Sequence, residues 1–481
     1  MGGLDLAIIL AYFALMLAIG VYASRRQRGT EDYFVAGRRM GVFSVTCLWL
    51  SSWIGGASIS GTASRAYSMG ITAIWYVLII SFGLVIYGLV MAKPAKKLSN
   101  KFHNVTFPDF IENRYDTKTR VATTVTTVLA YIAYTASQFV AGAGILNALT
   151  GWPLYVCFLV TTVVIVVYTA IGGMVAVAYT DVAQMILLVL GIVLLAVPCS
   201  AHLVRTEQLS FSSLPDTYFD LGAYGWGSIA ALGLSTVFSF FTCMDGYTKV
   251  FAAKDEKTAR AGTLLAAGVV VVIAACATYL GFVARLEFPN LESSSASLAT
   301  LIIEKFPIGV KGLVLVAILA AIMSTGDVCV LTASSNITRD LVQRFLNPNI
   351  SEKRMMTLSV FSSAAIGLVA ALFAWYEQDI IDTLFIAFTI NSAGLFLPTV
   401  CGLFWKKSSS NAAFASIMLS LVIVLVWYVG GKVSSVPIFQ VDALWPAFLA
   451  SALVYFAICL AGKQSGAERE KIASFFQAKQ E

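Results

Sequence analysis

Charge is scarce in this chain. Asp, Glu, Lys and Arg make up 12% of its 481 residues and hydrophobic residues 58%, whereas a soluble domain carries about 25% charged residues. The shortfall excludes a soluble globular fold. Histidine is scarcer still: His103 and His202 are the two in the chain, both read as solvated loop residues. With no histidine in an apolar segment, no Ser–His pair or histidine metal centre can form there, so a membrane-embedded enzyme stays a remote alternative. The eight cysteines stand singly in apolar runs without CxxC spacing and read as small core hydrophobes. There is no P-loop to couple the chain to ATP and no nucleic-acid module. The tail is too short for a sensor's output domain, which makes a sensor the other remote alternative. The first segment lacks the basic n-region and small-residue cleavage site of a secretory signal, and Leu6 is not the Ser or Thr of a myristoylation signal.

Apolar runs near or above about 18 residues recur along the whole length instead, the mark of a polytopic all-α membrane protein. Thirteen spans are expected, at 5–23, 41–66, 72–92, 121–148, 152–170, 178–199, 226–248, 262–284, 309–336, 357–375, 381–404, 411–430 and 440–461. Alternate loops then hold most of the Lys and Arg: five in 24–40, seven in 93–120, four in 249–260 and four in 337–356, followed by Lys406, Lys407 and the tail. That bias places the N-terminus outside and the C-terminus in the cytoplasm, in a plasma (inner) membrane. The largest outside loops are expected at 200–225 and 285–308. In the tail, Ile472, Phe475 and Phe476 recur at helical spacing beside Arg469 and Lys471, which suits a short helix on the inner leaflet or a solvated tail.

Two polar stretches interrupt this apolar background. The first is Ser51-Ser52-Trp53-Ile54-Gly55-Gly56-Ala57-Ser58, in the middle of a span. Glycine and serine weaken a helix there, and hydrocarbon tolerates a freed carbonyl only where protein, water or an ion satisfies it. The segment alone fits two readings equally: a small-residue packing face or an interrupted helix of the kind that builds transporter sites. The second stretch, Met323-Ser324-Thr325-Gly326-Asp327, decides between them. Ser324 and Asp327 share a helical face with Thr325 at its border, and a carboxylate with hydroxyls and freed carbonyls is an all-oxygen set suited to a hard cation such as sodium. Intramembrane acids cost about 2.5–3.5 kcal/mol each on insertion scales. Asp181, flanked by Thr180 and Gln184, reads as a relay or ion ligand; Asp245, near a span's cytoplasmic end, reads as an interfacial acid in water.

Together these residues resemble the sodium:solute symporter family. The matching stretches are Asp32-Tyr33-Phe34-Val35-Ala36-Gly37-Arg38-Arg39, Tyr168-Thr169-Ala170-Ile171-Gly172-Gly173, Tyr179-Thr180-Asp181-Val182-Ala183-Gln184, Ala321-Ile322-Met323-Ser324-Thr325 and Gly402-Leu403-Phe404-Trp405-Lys406-Lys407. The resemblance implies a LeuT-like 5+5 inverted repeat in one transporter domain, 1–481. An extra helix at 5–23 precedes the repeats at 41–199 and 226–404, and extra helices at 411–461 and a cytoplasmic tail at 462–481 follow. It implies a sodium site made by the carbonyls of Ser51, Ile54 and Ala321 and the hydroxyls of Ser324 and Thr325. Some relatives hold a second cation at the acid corresponding to Asp181, with serines one helical turn past the first site. Here Asp327 and Val328 stand at those places, so Asp327 is open to a second sodium, a proton or a basic substrate.

The same resemblance implies a substrate pocket lined by Trp53, Ser58 and Thr62, with Trp75 or Tyr76 from the next helix. Gln138, Ser239, Phe240, Thr242 and Asn391 complete it. A Trp-Ile-Gly-Gly run resembles the choline branch, whose ring cage holds a quaternary ammonium, but Gln138 and Cys243 stand near the places where that cage needs tryptophan. No arginine in 121–148 supplies a sialic-acid-type clamp. The implied function is sodium-coupled symport of a small polar organic solute by alternating access, by a functional monomer whose partners are the solute, sodium and membrane lipid, without nucleic acid. The alternative is a proton-coupled transporter of the same fold using Asp327 or Asp181.

Overall fold

The computed structural model describes residues 2–24, 38–377, 379–462 and 464–480. Residues 32–37 of the first matching stretch, and the basic Arg25, Arg26 and Arg28, lie outside the described residues, as do the side chains of Tyr168 and of 170–173. Among the described residues every regular element is helical, with one isolated bridge between Met40 and Ala253. A bilayer demands this, because each spanning backbone must satisfy its own hydrogen bonds.

Nine helices among the described residues are long and apolar enough to cross a membrane, and Trp226–Thr242 with Met244–Ala252, bent by 46° at Cys243, makes a tenth. The other expected spans correspond to the shorter apolar helices Gly3–Ile19, Val42–Trp53 and Leu154–Val167. The helix Leu154–Val189 runs on from the span expected at 152–170 into the one expected at 178–199 without a loop, and the latter continues through Leu190–Ala196 into Val197–Thr206. Local signals set several ends. Asp116 accepts the Thr119 N–H (2.9 Å) to start Thr117–Thr150, and Gly151 in the left-handed region ends it. Asp255 caps Glu256–Glu287 in the same way through the Thr258 N–H.

Thr117–Thr150, Val310–Ser335 and Ile380–Phe404 form the buried centre of the bundle, while Thr357–Tyr376, Ser410–Val433 and Leu444–Ala461 lie at its edge with much apolar surface left for lipid. Two minor expectations are corrected. His202 sits exposed on the helix Val197–Thr206, because the helical span continues to Thr206 instead of ending in a loop at 200. The tail is neither solvated nor free on the leaflet. Its helix Gly466–Gln480 buries Ile472 and Phe475, stacks Phe475 on Phe102, and anchors through Lys471 Nζ to the Tyr115 carbonyl (2.6 Å) and through Glu468, which accepts the Ser410 N–H (2.7 Å).

Candidate functional site

The first polar stretch is a helix break. Val42–Trp53 ends where Ile54 leaves helical geometry (φ −106°, ψ 75°), although its N–H still reaches the Leu50 carbonyl (2.7 Å). A π-helical turn, Ala57–Gly61, then restarts the chain into Thr62–Met69. Side chains meet the groups that the break frees. Gln138 Oε1 accepts the Gly56 N–H (3.0 Å), Ser58 Oγ donates to the Trp53 carbonyl (2.6 Å), and the Tyr134 hydroxyl donates to the Ser52 carbonyl. Gly55 is required by space: a Cβ there would stand 2.5 Å from Thr325 Oγ1 and 2.6 Å from Gln138 Oε1.

The second polar stretch faces that break. Thr325 Oγ1 donates to the Ser51 carbonyl (2.7 Å), and Ser324 Oγ lies 3.3 Å from the same oxygen and 3.0 Å from the Ala321 carbonyl. Beside them Ser51 Oγ donates to Asp181 Oδ2 (2.8 Å), and Thr169 Oγ1 donates to Asp327 Oδ1 (2.6 Å). The second oxygen of each acid, Asp181 Oδ1 and Asp327 Oδ2, is buried without a hydrogen-bond partner among the described residues. Such orphaned oxygens in a dry interior are expensive. Their chemistry fits a cation or a proton between the helices.

A second break lies at Cys243, whose extended backbone (φ −72°, ψ 124°) separates the two halves of the bent pair. Here the Tyr131 hydroxyl serves the freed backbone: it accepts the Asp245 N–H (3.1 Å) and donates to the Asp245 carboxylate. Lys249 Nζ, one turn on, binds Asp245 Oδ2 at 2.6 Å and lies 5.0 Å from the Trp49 ring. Asp245 is therefore not an interfacial acid in water. It is 1% exposed, held inside the bundle by an i,i+4 lysine and a tyrosine.

Rings join the two breaks. Trp53 stacks on Phe240 (centroids 3.8 Å, 18°) and on Phe388 (5.3 Å, 27°), with Tyr134 edge-on. Beneath this stack Trp53, Tyr131, Tyr134, Ser239, Asp245 and Asn391 line a cavity of about 10 Å³, room for a single water. On the far half of the first broken helix, Arg65 pairs with Asp382 (2.5 Å) and Asp379 (3.6 Å), and Ser64 meets Ser294 (3.0 Å).

The sodium:solute symporter family model matches residues 33–420. The chain belongs to the sodium:solute symporter family. As a member it is a multi-pass membrane transporter, a symporter whose co-transported ion is sodium. The high-affinity proline transporter of Bacillus subtilis (strain 168) is 25% identical over 471 residues, covering 92% of this chain and 95% of that one. The sodium/proline symporter of Haemophilus influenzae is 27% identical over 445 residues, covering 86% of each. Among solved structures, a substrate-bound outward-open sodium-coupled sialic acid symporter matches with TM-score 0.78 at 19% identity, over 97% of this chain and 99% of that one. Mhp1, a nucleobase-cation-symport-1 transporter, gives 0.57 at 15% identity over 92% and 98%. The fold is thus the LeuT-like one.

In this symporter the structure brings most of the expected residues to the two breaks. Ser51, Ser324, Thr325 and Ala321 converge, with Ile54 at the adjoining non-helical position. Trp53, Ser239, Phe240 and Asn391 meet at the ring stack and cavity, and Thr242 accepts from Asn391 Nδ2 (2.9 Å). Others sit apart from the cavity wall. Ser58 and Thr62 bond back to their own helix, and Gln138 serves the break. Trp75 donates its indole N–H to the Leu221 carbonyl (3.0 Å) and packs on Trp226, and Tyr76 is buried with an unpartnered hydroxyl among the described residues. Sequence reasoning missed Tyr131, Tyr134 and Phe388, and took Asp245 for an interfacial acid. Asp245 carried one usable signal, Lys249 four residues later inside an apolar run.

Proposed function

We propose that this symporter takes up sodium at the first break, on the Ser51, Ile54 and Ala321 carbonyls and the Ser324 and Thr325 hydroxyls. The ion's entry then drives import of a small polar organic solute by alternating access. One observation carries the reading: two hydroxyls on the buried helix Val310–Ser335 converge on the carbonyl of Ser51 at the break. A cation arriving there replaces the protons those hydroxyls now point at that carbonyl, so the ion ties the two helices together. Sodium crossing inward gains about 2.3 kcal/mol per 100 mV. Two relatives named for proline make an amino acid of that size the first solute to try.

Asp181 and Asp327, each with a free buried oxygen, are the candidate ligands for a second cation. The proton-coupled alternative would use the same acids, and neither the family nor its sodium-named relatives support it. We assign the repeats to 41–199 and 226–404 within one domain of 1–481, the flanking helices to 5–23 and 411–461, and the tail to 462–481. The loop charges put the N-terminus outside and the C-terminus in the cytoplasm of the plasma membrane, and the protein works as a monomer in lipid.

The test is uptake by proteoliposomes under a sodium or a potassium gradient at fixed pH. Ser324→Ala with Thr325→Ala should raise the half-saturating sodium by about tenfold, the loss of about 1.4 kcal/mol of ion binding. Sodium dependence unchanged in that variant would refute the assignment, and uptake indifferent to sodium would refute the coupling.

A further inference from the structure

The cavity beneath the ring stack has an unusual balance of hydrogen-bonding groups. Every hydroxyl and thiol on its wall already spends its proton on the protein. Ser239 Oγ donates to the Phe388 carbonyl (3.1 Å), Tyr134 to the Ser52 carbonyl, Tyr131 to the Asp245 carboxylate, and Cys243 Sγ to the Phe240 carbonyl (3.6 Å). Acceptors are left over. Asn391 gives an N–H to Thr242, while its Oδ1 is buried, 4% exposed as a residue, with no partner among the described residues. Each Asp245 oxygen holds one partner, where an ionised carboxylate offers about four lone-pair sites. No Arg or Lys belongs to the cavity wall; Lys249 reaches Asp245 without lining it. The remaining wall is ring surface from Trp53, Tyr134 and Phe388, whose faces attract cations. Against that, the Trp53 indole N–H is one donor without a partner among the described residues.

A lysine-paired carboxylate with lone pairs still open, an unpaired amide oxygen on the same wall and aromatic faces around them suit a cationic group that also carries N–H donors. We propose that Asp245 and Asn391 form the recognition pole for a protonated primary or secondary amine on the transported solute, with the rings covering its apolar body. This deepens the symport reading and rests on it only for the statement that the bound solute is the one carried. A quaternary ammonium would enjoy the rings yet leave the Asn391 oxygen unpaired, and an ether would bring neither an N–H to that oxygen nor positive charge to the carboxylate lone pairs that Tyr131 and Lys249 leave open. Sites built around a buried hydrogen-bonding group reject analogues that lack its partner far more strongly than a ring pocket rejects a missing methylene. The free Trp53 N–H leaves a place for one acceptor on the solute, as an amino acid's carboxylate would supply.

The experiment is thermal unfolding of the full chain in detergent, in sodium chloride and in potassium chloride, with matched ligands. The probes are L-proline, its N,N-dimethyl derivative, tetrahydrofuran-2-carboxylate and cyclopentanecarboxylate, then ethanolamine, choline and ethylene glycol. A bound ligand raises the midpoint in proportion to the logarithm of its excess over Kd. We expect an N–H amine to stabilise in sodium, with its quaternary and oxygen or carbon counterparts weaker by on the order of a hundredfold. Asn391→Ala should narrow that gap to less than about tenfold. So should the pair Asp245→Asn with Lys249→Met, which avoids stranding a buried charge. An isostere without N–H binding as tightly as its amine, or no amine in either set stabilising, overturns the proposal. An amine that stabilises equally in potassium sinks the sodium coupling instead and leaves the amine pole standing.

Discussion

Both broken helices free backbone groups in the middle of the bundle, and they satisfy them with opposite chemistry. At 54–56 the partners are small and neutral: hydroxyls of Ser58 and Thr325, the Gln138 amide, and a glycine that lets Thr325 approach. At Cys243 a tyrosine takes the Asp245 N–H, and beside it the Asp245 carboxylate pairs with Lys249 among rings. Oxygen dipoles without net charge suit a small cation that must arrive and leave. A fixed charge set in aromatic surface suits an organic headgroup. The same backbone device thus leaves neutral oxygens at one break and a charged pair among rings at the other, with Trp53 and Phe240 stacked between them.

Adding bulk at the first break should have the largest effect. Gly55→Val puts carbon where Thr325 and Gln138 already stand. Sodium-driven uptake at matched surface expression should fall by more than about a hundredfold, because overpacking of about 1–3 kcal/mol is added to the loss of the ion site. Cys243→Val, at the other break, should leave the half-saturating sodium within about threefold. If both changes altered sodium dependence alike, the division of labour would be wrong.

Asp245→Asn strands the Lys249 ammonium in the bundle. Losing one partner of a buried pair costs about 3–5 kcal/mol, so the thermal midpoint should drop by several degrees, and Lys249→Met added to it should restore most of the loss. A midpoint unmoved by the single change would mean that the second break does not depend on its charges.

A smaller effect is expected at the Arg65 ion pair. Arg65→Gln removes the ion pair to Asp382 and Asp379. Labelling of Cys243 on the cavity wall by a membrane-impermeant thiol reagent should then quicken by about fivefold, a coupling of about 1 kcal/mol. No change would mean that this ion pair does not restrict access to the cavity.

The smallest concerns Lys96 in Ala92–Phe102, which donates to the Phe251 carbonyl (2.7 Å) just past the second break. Burial, reinforced by Arg38, pushes its ammonium down to about 8 from 10.5. The folded state therefore loses its proton before the unfolded one does, so stability should rise with pH between about 8 and 10.5. Lys96→Met should flatten that part of the midpoint–pH curve.

The two breaks also differ in how far the sequence betrays them. Gly55, Gly56 and the serines around them contradict a lipid-facing helix on propensity alone, so the first break could be read without coordinates. Thr242-Cys243-Met244 contains neither glycine nor proline. Its bend is held by Tyr131, 114 residues away, reaching the Asp245 N–H, a tertiary contact with no local signature. Span positions were legible because lipid imposes length and composition. The wall of the cavity was not: Tyr131, Tyr134 and Phe388 look like any packed aromatic until the helices are side by side. Trp75 misled for the same reason, its indole turning to an outer loop carbonyl.

The most direct measurement is the thermal midpoint of the purified protein without solute, titrated with sodium and with potassium at constant ionic strength, for the wild type and for Ser324→Ala with Thr325→Ala. An ion gripped between the two helices should lift the wild-type midpoint with the logarithm of sodium concentration and not with potassium, and the paired change should move that rise to about tenfold higher sodium. Equal stabilisation by both salts, or a sodium response left unshifted by loss of both hydroxyls, would mean the ion does not bind where Ser324 and Thr325 meet the carbonyl of Ser51.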